Sequence, residues 1–342
     1  MSEALDPRAE LGLRWSIATL GRSALQLQAA STDASARRYL PLLGAEAPLL
    51  LMDSPPEQVP LRPWLHISDV LRTHGLRVPQ VIATDPAQGF ALIEHLGDRV
   101  LLSELIDAQQ RKDMHTVDAH YQHAMDTIFS LQSRIAPECV PDYDAVRLSM
   151  ELELMPTWFL QRHLGMTLSG ADRHTLEGSF HRLIDSALCQ PQVFVHRDFH
   201  ARNLIPTDDG LALIDFQDAL RGAFTYDLVS LLRDCYVRWP VQNVHAWAES
   251  FRLKWLRSGR IADEPADFHR AFDWMGLQRH LKVLGIFCRL HYRDGKASYL
   301  KDLPRVLGYV LEVTESWPEF AALHALMLRA TARVDLTAAR QP

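Results

Sequence analysis

Residues 196–203 read H-R-D-F-H-A-R-N, and twelve positions past Asn203 comes Asp215 in the run L-I-D-F-Q-D. Each polar stretch directly follows a short apolar segment of strand formers, Val193 to Val195 and Leu211 to Ile214. A carboxylate beside a hydroxyl can orient it and take its proton as it attacks phosphorus. Asparagine and aspartate oxygens are the hard donors that magnesium uses when it bridges nucleotide phosphates. Asp198 therefore reads as a base, and Asn203 and Asp215 as metal ligands, in phosphoryl transfer. Two loops that only capped a helix and a turn would have no need of these three groups at this spacing.

The elements that must hold these groups change character along the chain. After a helical start around Leu11 to Thr19, residues 1–100 carry short strand-like segments broken by Pro and Gly: Leu25 to Ala29, Arg37 to Leu42, Pro48 to Asp53, Gln80 to Thr84 and Phe90 to His95. One helix, Leu65 to His74, interrupts them and stops at Gly75. From Ser103 onward the apolar spacing is helical, as in Tyr121 to Ser133, Leu148 to His163, Arg173 to Leu188, Asp227 to Tyr236 and Leu277 to Tyr292. The stretch 193–218 is the exception. The expected architecture is α+β: a small β-rich N-terminal lobe (1–97) that covers a nucleotide, joined near Glu94 to Asp98 to a larger helical C-terminal lobe (98–342). The second lobe would hold the catalytic loop (196–203), the metal loop (215–218) and an acceptor site.

H-x-D-x-x-x-x-N followed by an apolar pair and D-F resembles the catalytic and metal-binding loops of kinases. From about residue 25 to about 320 the chain resembles the aminoglycoside phosphotransferase family, kinase relatives that phosphorylate small-molecule hydroxyls. That resemblance implies a protein-kinase-like bilobal fold, ATP and Mg2+ as cofactors, Asp198 as catalytic base, Asn203 and Asp215 as magnesium ligands, and His196 as an anchor of the loop. It also implies that His200, where protein kinases carry a lysine, touches the transferred phosphate, with Arg202 able to supply the same charge. Within the family, V-H-R-D-F-H-A-R-N-L, I-D-F-Q-D-A and Y-D-L-V-S-L-L-R-D-C-Y look like the branch that phosphorylates the anomeric hydroxyls of N-acetylmuramate and N-acetylglucosamine in cell-wall recycling. Asp227, at the start of the last motif, reads as a helix cap that also braces the catalytic segment.

The N-terminal part departs from the kinase pattern, because the first lysine of the chain is Lys112, past the hinge. No lysine can pair with the phosphates from a strand of the first lobe. Where a glycine-rich loop is usual stands A-S-T-D-A-S-A-R-R-Y, whose Ser31, Thr32, Ser35 and backbone amides could reach phosphate oxygens. Arg37 or Arg38 is the candidate cation, since guanidinium binds phosphate bidentately. Met52 or Asp53 falls where lysine is usual, and an aspartate facing ATP would repel it. F-A-L-I-E-H-L-G resembles the last strand and hinge, where backbone groups of Glu94 and Leu96 would meet adenine.

Composition narrows the partners. The 342 residues are 47% hydrophobic and 23% charged, which excludes disorder. Lys and Arg number 36 against 42 Asp and Glu, a net −6, so nucleic acid is not an expected partner. Four scattered cysteines, none in a C-x-x-C pair, fit reduced, buried thiols. No basic n-region with an apolar run opens the chain and no apolar run approaches the roughly 20 residues of a spanning helix, so a cytoplasmic protein without membrane partners is expected. Charge is unevenly placed: residues 219–312 hold 15 Lys and Arg against 10 Asp and Glu, a net +5. A basic acceptor half disfavours a polycationic drug and suits a neutral or anionic amino sugar such as N-acetylmuramate with its lactyl carboxylate. Arg233, Arg279, His280 and Arg293 are candidate contacts, with Trp239 able to face a pyranose ring. Arg279 and His280 are neighbours on a helix, so at most one can face a cleft. A kinase for another small alcohol, such as an antibiotic, choline or homoserine, and a nucleotide-binding pseudokinase are the competing readings.

Overall fold

The computed structural model describes residues 6–28, 36–261 and 264–340. Its strands are β1 (Gln26–Leu27), β2 (Arg38–Leu43), β3 (Leu49–Asp53), β4 (Val81–Asp85), β5 (Phe90–Glu94), β6 (Gln192–Val195), β7 (Leu204–Thr207), β8 (Gly210–Leu213) and β9 (Leu220–Ala223). Its helices are α1 (Pro7–Leu20), α2 (Leu61–Thr73), α3 (Leu101–Gln110), α4 (Met114–Arg134), α5 (Ala145–Leu152), α6 (Gly170–Cys189), α7 (Tyr226–Leu232), α8 (Val241–Arg257), α9 (Pro265–Tyr292), α10 (Leu303–Ser316) and α11 (Ala321–Thr331). Two compact units emerge, 1–101 with 202–217, and 102–201 with 218–342.

The first unit is an antiparallel sheet in the order β1-β2-β3-β5-β4 with α1 on one face. α1 begins where the Asp6 carboxylate accepts the Arg8 and Ala9 amides, and it ends at Gly21, whose φ of 66° closes the last turn. Because side chains alternate along a strand, Leu40, Leu42, Leu49, Leu51, Phe90 and Leu92 all face α1 and bury themselves with Ala9. Tyr39, Pro41, Leu43, Leu50 and Ile93 take the other face and line a cavity. Residues 202–217 add the β7–β8 hairpin, fastened by the Leu213 amide on the Arg77 carbonyl (2.9 Å) and by Phe216 against Trp64, with ring centroids 5.2 Å apart. The hairpin therefore belongs with the β-rich part, whereas the pattern of apolar residues had kept it with the helical part.

In the second unit α9 is the central helix, against which α6, α7, α10 and residues 155–163 pack. A side chain at Gly285 would put Cβ 2.4 Å from the Leu154 carbonyl carbon, so only glycine lets the two backbones approach this closely. The helix expected over 148–163 is α5 followed by a π-helical segment, Met155–His163, since Pro156 has no amide to continue the α ladder. The strands at 193–195 and 211–214 do not pair with each other. β6 pairs with β9 and β7 with β8, and the two partners were hidden by Pro206 and Gly222, poor strand residues. All four cysteines are free, but only Cys235 and Cys288 are buried, while Cys139 is half-buried and Cys189 exposed. No described helix is long and apolar enough to cross a membrane.

Asp53 shares the α1 face with Arg38, its partner across β2 and β3. It is fully buried and accepts from Arg8 Nη2 at 2.5 Å and from Arg38 Nη2 at 2.6 Å, and Arg38 also pairs with Asp6. The aspartate thus faces away from the cavity, and the repulsion of nucleotide expected from it does not arise. Removing a buried carboxylate leaves its cations uncompensated, although a third of each arginine is solvated here. Asp53→Ala should therefore lower unfolding stability by about 2 to 3 kcal/mol in urea titrations, with the KM for ATP near that of the parent. Unchanged stability with an altered KM would put the carboxylate at the nucleotide instead.

Candidate active site

The loop after β6 is gripped at both ends by one short helix. Asp227 Oδ2 accepts the His196 amide at 2.7 Å, and Oδ1 accepts the Arg197 amide at 3.0 Å. Asp234, just beyond α7, accepts the Ala201 amide at 2.9 Å and the Tyr236 amide at 2.8 Å. Both carboxylates are buried. Arg197, held this way, has φ 73°, and Asp215 has φ 62°, two of four non-glycine residues with positive φ among the described residues. Such backbone persists where surroundings over-determine it, as at reaction sites. Burial pushes the Asp227 carboxyl up to about 7 against the two amide bonds that favour its ionised form.

Between these grips Asp198 lines a pocket of about 150 Å³ with His200, Tyr236, Arg279, Lys282 and Tyr299. Burial alone would raise the Asp198 carboxyl, yet Lys282 first, then His200, Arg197 and Arg279, together hold it below the ordinary range. Asp198 is thus an ionised carboxylate. Lys282 is itself placed by Glu151, whose Oε2 lies 3.0 Å from Nζ, and by the Tyr226 hydroxyl at 3.1 Å. Glu151 also pairs with Arg197 and accepts from the Tyr143 hydroxyl, so one half-buried acid orders two cations next to Asp198.

The first unit holds the other half of the chemistry. The β7–β8 hairpin pairs Leu204 with Leu213, and its turn is pinned by the Thr207 hydroxyl donating to Asp209 (2.8 Å) and to the Gly210 carbonyl (2.9 Å). The twelve-residue interval is this hairpin, which returns Asp215 beside Asn203, with Nδ2 3.3 Å from Asp215 Oδ2. Both line a cavity of about 650 Å³ with Glu94 and Leu96. A carboxylate and a carboxamide in a roomy cavity fit magnesium, which takes one or two protein oxygens and leaves the rest of its shell to phosphates and water. The Glu94 amide is bound to the Gln80 carbonyl (2.9 Å) and its carboxylate to Arg77 (2.5 Å).

Among the described residues, most of the other expected contacts line neither cavity. Ser31, Thr32 and Ser35 fall outside the described residues. Arg38 is on the α1 face, its guanidinium pKa raised chiefly by Asp6, and it does not line the cavity. Arg37 is buried with Nε on the Ser54 hydroxyl at 3.1 Å. Arg202 is half-buried in a turn, Ala201–Asn203. Of the acceptor candidates only Arg279 lines the Asp198 pocket. Arg233 is buried against Asp273 (2.7 Å) and the Phe272 ring, and Trp239 is a core residue whose indole donates to the Tyr121 hydroxyl (2.6 Å). His280 points to the opposite side of α9, stacked on Tyr309 and donating to the Arg233 carbonyl, and burial first of all drives its pKa down to about 3. Arg293 is exposed and paired with its neighbour Asp294, because it lies just past the end of α9. Sequence reasoning missed Lys282, although its place three residues after Arg279 on one helix was a usable signal. Asp234 stands within the quoted motif Y-D-L-V-S-L-L-R-D but was given no role, and Glu151 left no such signal.

The two units carry the fold of protein-kinase-like small-molecule kinases. The ADP-bound crystal structure of aminoglycoside phosphotransferase APH(2'')-Ib matches with a TM-score of 0.60 at 14% identity, covering 90% of this chain and 99% of that one. The profile of the phosphotransferase enzyme family matches residues 26–269, and the chain belongs to that family. It is an enzyme that phosphorylates a hydroxyl group. Among its curated relatives, the N-acetylmuramate/N-acetylglucosamine kinase of Pseudomonas putida is 40% identical over 90% of this chain and 89% of its own length. The protein of the same name from Neisseria meningitidis serogroup B is 36% identical over 87% and 89%.

A base must be ionised to accept a proton, so with Asp198 in that role activity should be lost as pH falls through its pKa. The acid limb of kcat/KM should lie below the ordinary carboxylate range in the parent and move to higher pH in Lys282→Met, which removes the largest charge favouring the ionised form. An unmoved limb in a folded variant would disconnect Lys282 from the base.

Proposed function

We propose that this enzyme transfers the γ-phosphoryl group of ATP to the anomeric hydroxyl of N-acetylmuramate and of N-acetylglucosamine, giving the 1-phosphates in cell-wall recycling. The likeness to relatives of that name over nine-tenths of the chain carries the reading. The pocket supports it, since Arg279 and Lys282 beside Asp198 would repel a cationic acceptor such as an aminoglycoside or choline.

In this mechanism Asp198 Oδ accepts the proton of the anomeric hydroxyl while the hydroxyl oxygen forms its bond to γ-phosphorus. The bond from γ-phosphorus to the β–γ bridging oxygen breaks, and ADP leaves. Asn203 and Asp215 would hold Mg2+, which when bound neutralises phosphate charge. Leu96 keeps the adenine role, because the Glu94 amide and carboxylate are already engaged. Arg37 is assigned to the phosphates in place of the absent lysine, with Ser31, Thr32 and Ser35 nearby in sequence, and His200 and Arg202 to the transferred group. Use of ATP in this role places the enzyme in the cytoplasm.

Asp198→Asn should keep ATP binding and lose turnover by roughly 10²- to 10⁴-fold, the range of a general base. Unchanged kcat would remove Asp198 from the chemistry. In calorimetry, magnesium should strengthen ATP binding in the parent and have no effect in Asp215→Ala. Retained magnesium dependence in that variant would contradict the ligand assignment. Arg37→Ala should raise the ATP KM roughly tenfold, whereas Arg38→Ala should leave it near the parent and lower stability. The reverse pattern would exchange their roles.

A further inference from the structure

Arg279 is nearly fully buried, yet among the described residues its one hydrogen-bond partner is the Cys235 thiol, 3.4 Å away, and it makes no ion pair. A guanidinium withdrawn from water without a carboxylate against it is costly unless something supplies the missing charge. Its neighbour Lys282 is different, since Glu151 already neutralises it at 3.0 Å. Asp198 lies close enough to act on Arg279 electrostatically, but it ranks last among the groups that do so, and as a base it must stay open to the hydroxyl. Of the two cations that line the pocket with Asp198, only Lys282 has a carboxylate of its own.

The same pocket also has an aromatic lining. Phe287 and Tyr299 have ring centroids 5.2 Å apart, and Tyr236 stands edge-on to His200 at 5.3 Å. A pyranose can lie on such a lining with one hydroxyl toward Asp198, which leaves a charged substituent to meet the cations. Arg279 is fixed on α9 and is held in place by packing around Cys235, so its donors are pre-organised for a planar anion.

We propose that Arg279 is the specificity-determining residue of the acceptor pocket, recognising a carboxylate on the sugar so that a carboxylated N-acetylamino sugar is used in preference to its neutral counterpart. The inference rests on the sugar-kinase reading above. It differs from a purely supporting role for Arg279 at the base, which would affect all acceptors alike.

The test compares kcat/KM for N-acetylmuramate, its methyl ester and N-acetylglucosamine in the parent, Arg279→Gln and Arg279→Lys. In the parent the free acid should exceed both neutral sugars by roughly ten- to a hundredfold, the range of a charge-assisted hydrogen bond. The ratio should collapse toward one in Arg279→Gln and be partly kept in Arg279→Lys. Equal use of acid and ester by the parent overturns the proposal, and needs no variant to fold. So does an equal loss on all three sugars in folded Arg279→Gln. Turnover of none of the sugars by the parent would instead remove the sugar-kinase reading itself.

Discussion

The bond between the Asp227 carboxylate and two successive amides of the catalytic loop is the constraint from which the rest of the site follows. A carboxylate that accepts from both His196 and Arg197 holds the peptide between them in one orientation. Arg197 then adopts a left-handed backbone, unfavourable by itself, and the next residue, Asp198, is delivered to the pocket it lines with Arg279 and Lys282. Asp234 repeats the device at Ala201. The two acids sit at either end of α7, seven residues apart, and that helix is buried along its whole length, so the loop inherits the rigidity of the core. The motif Y-D-L-V-S-L-L-R-D thereby acquires a physical reason: its acids grip the loop and its apolar residues bury the helix that carries them.

Charge is the second organising element. Asp198 is withdrawn from water enough that burial alone would raise its carboxyl, yet it stays ionised because cations surround it. Those cations would be equally costly alone, and Glu151 compensates Lys282 and Arg197 from behind. Asp53 does the same for Arg8 and Arg38 in the first unit. Arg279 is the exception, a buried cation at the pocket without its own acid.

The placement of the motif residues was more legible in the sequence than their surroundings. Asp198, Asn203 and Asp215 could be read because their spacing is local: a six-residue loop and a hairpin of ten residues fix it, and both lie within one short stretch of chain. The strands of the sheet were legible for the same reason, since alternation is a property of consecutive residues. Trp239 and Arg233 were misjudged because composition does not say which side of a helix or turn faces the core, and both found partners, Tyr121 and Asp273, far away in the chain. Arg38 was ambiguous until the register with Asp53 placed it on the α1 face. Lys282, Glu151 and Asp234 act through contacts that span from 33 residues for Asp234 to more than a hundred for Glu151 and Lys282, and no local pattern announces such pairs.

The central claim is that an ionised Asp198 activates the anomeric hydroxyl of an N-acetylamino sugar toward ATP. The most direct measurement is phosphorus and proton NMR of the product formed from ATP and N-acetylglucosamine, with the same reaction run on N-acetylmuramate and on kanamycin. The account predicts a phosphorus signal coupled to the anomeric proton for both sugars and no product from kanamycin. A phosphate coupled to any other sugar proton, or turnover of kanamycin with neither sugar, would contradict it.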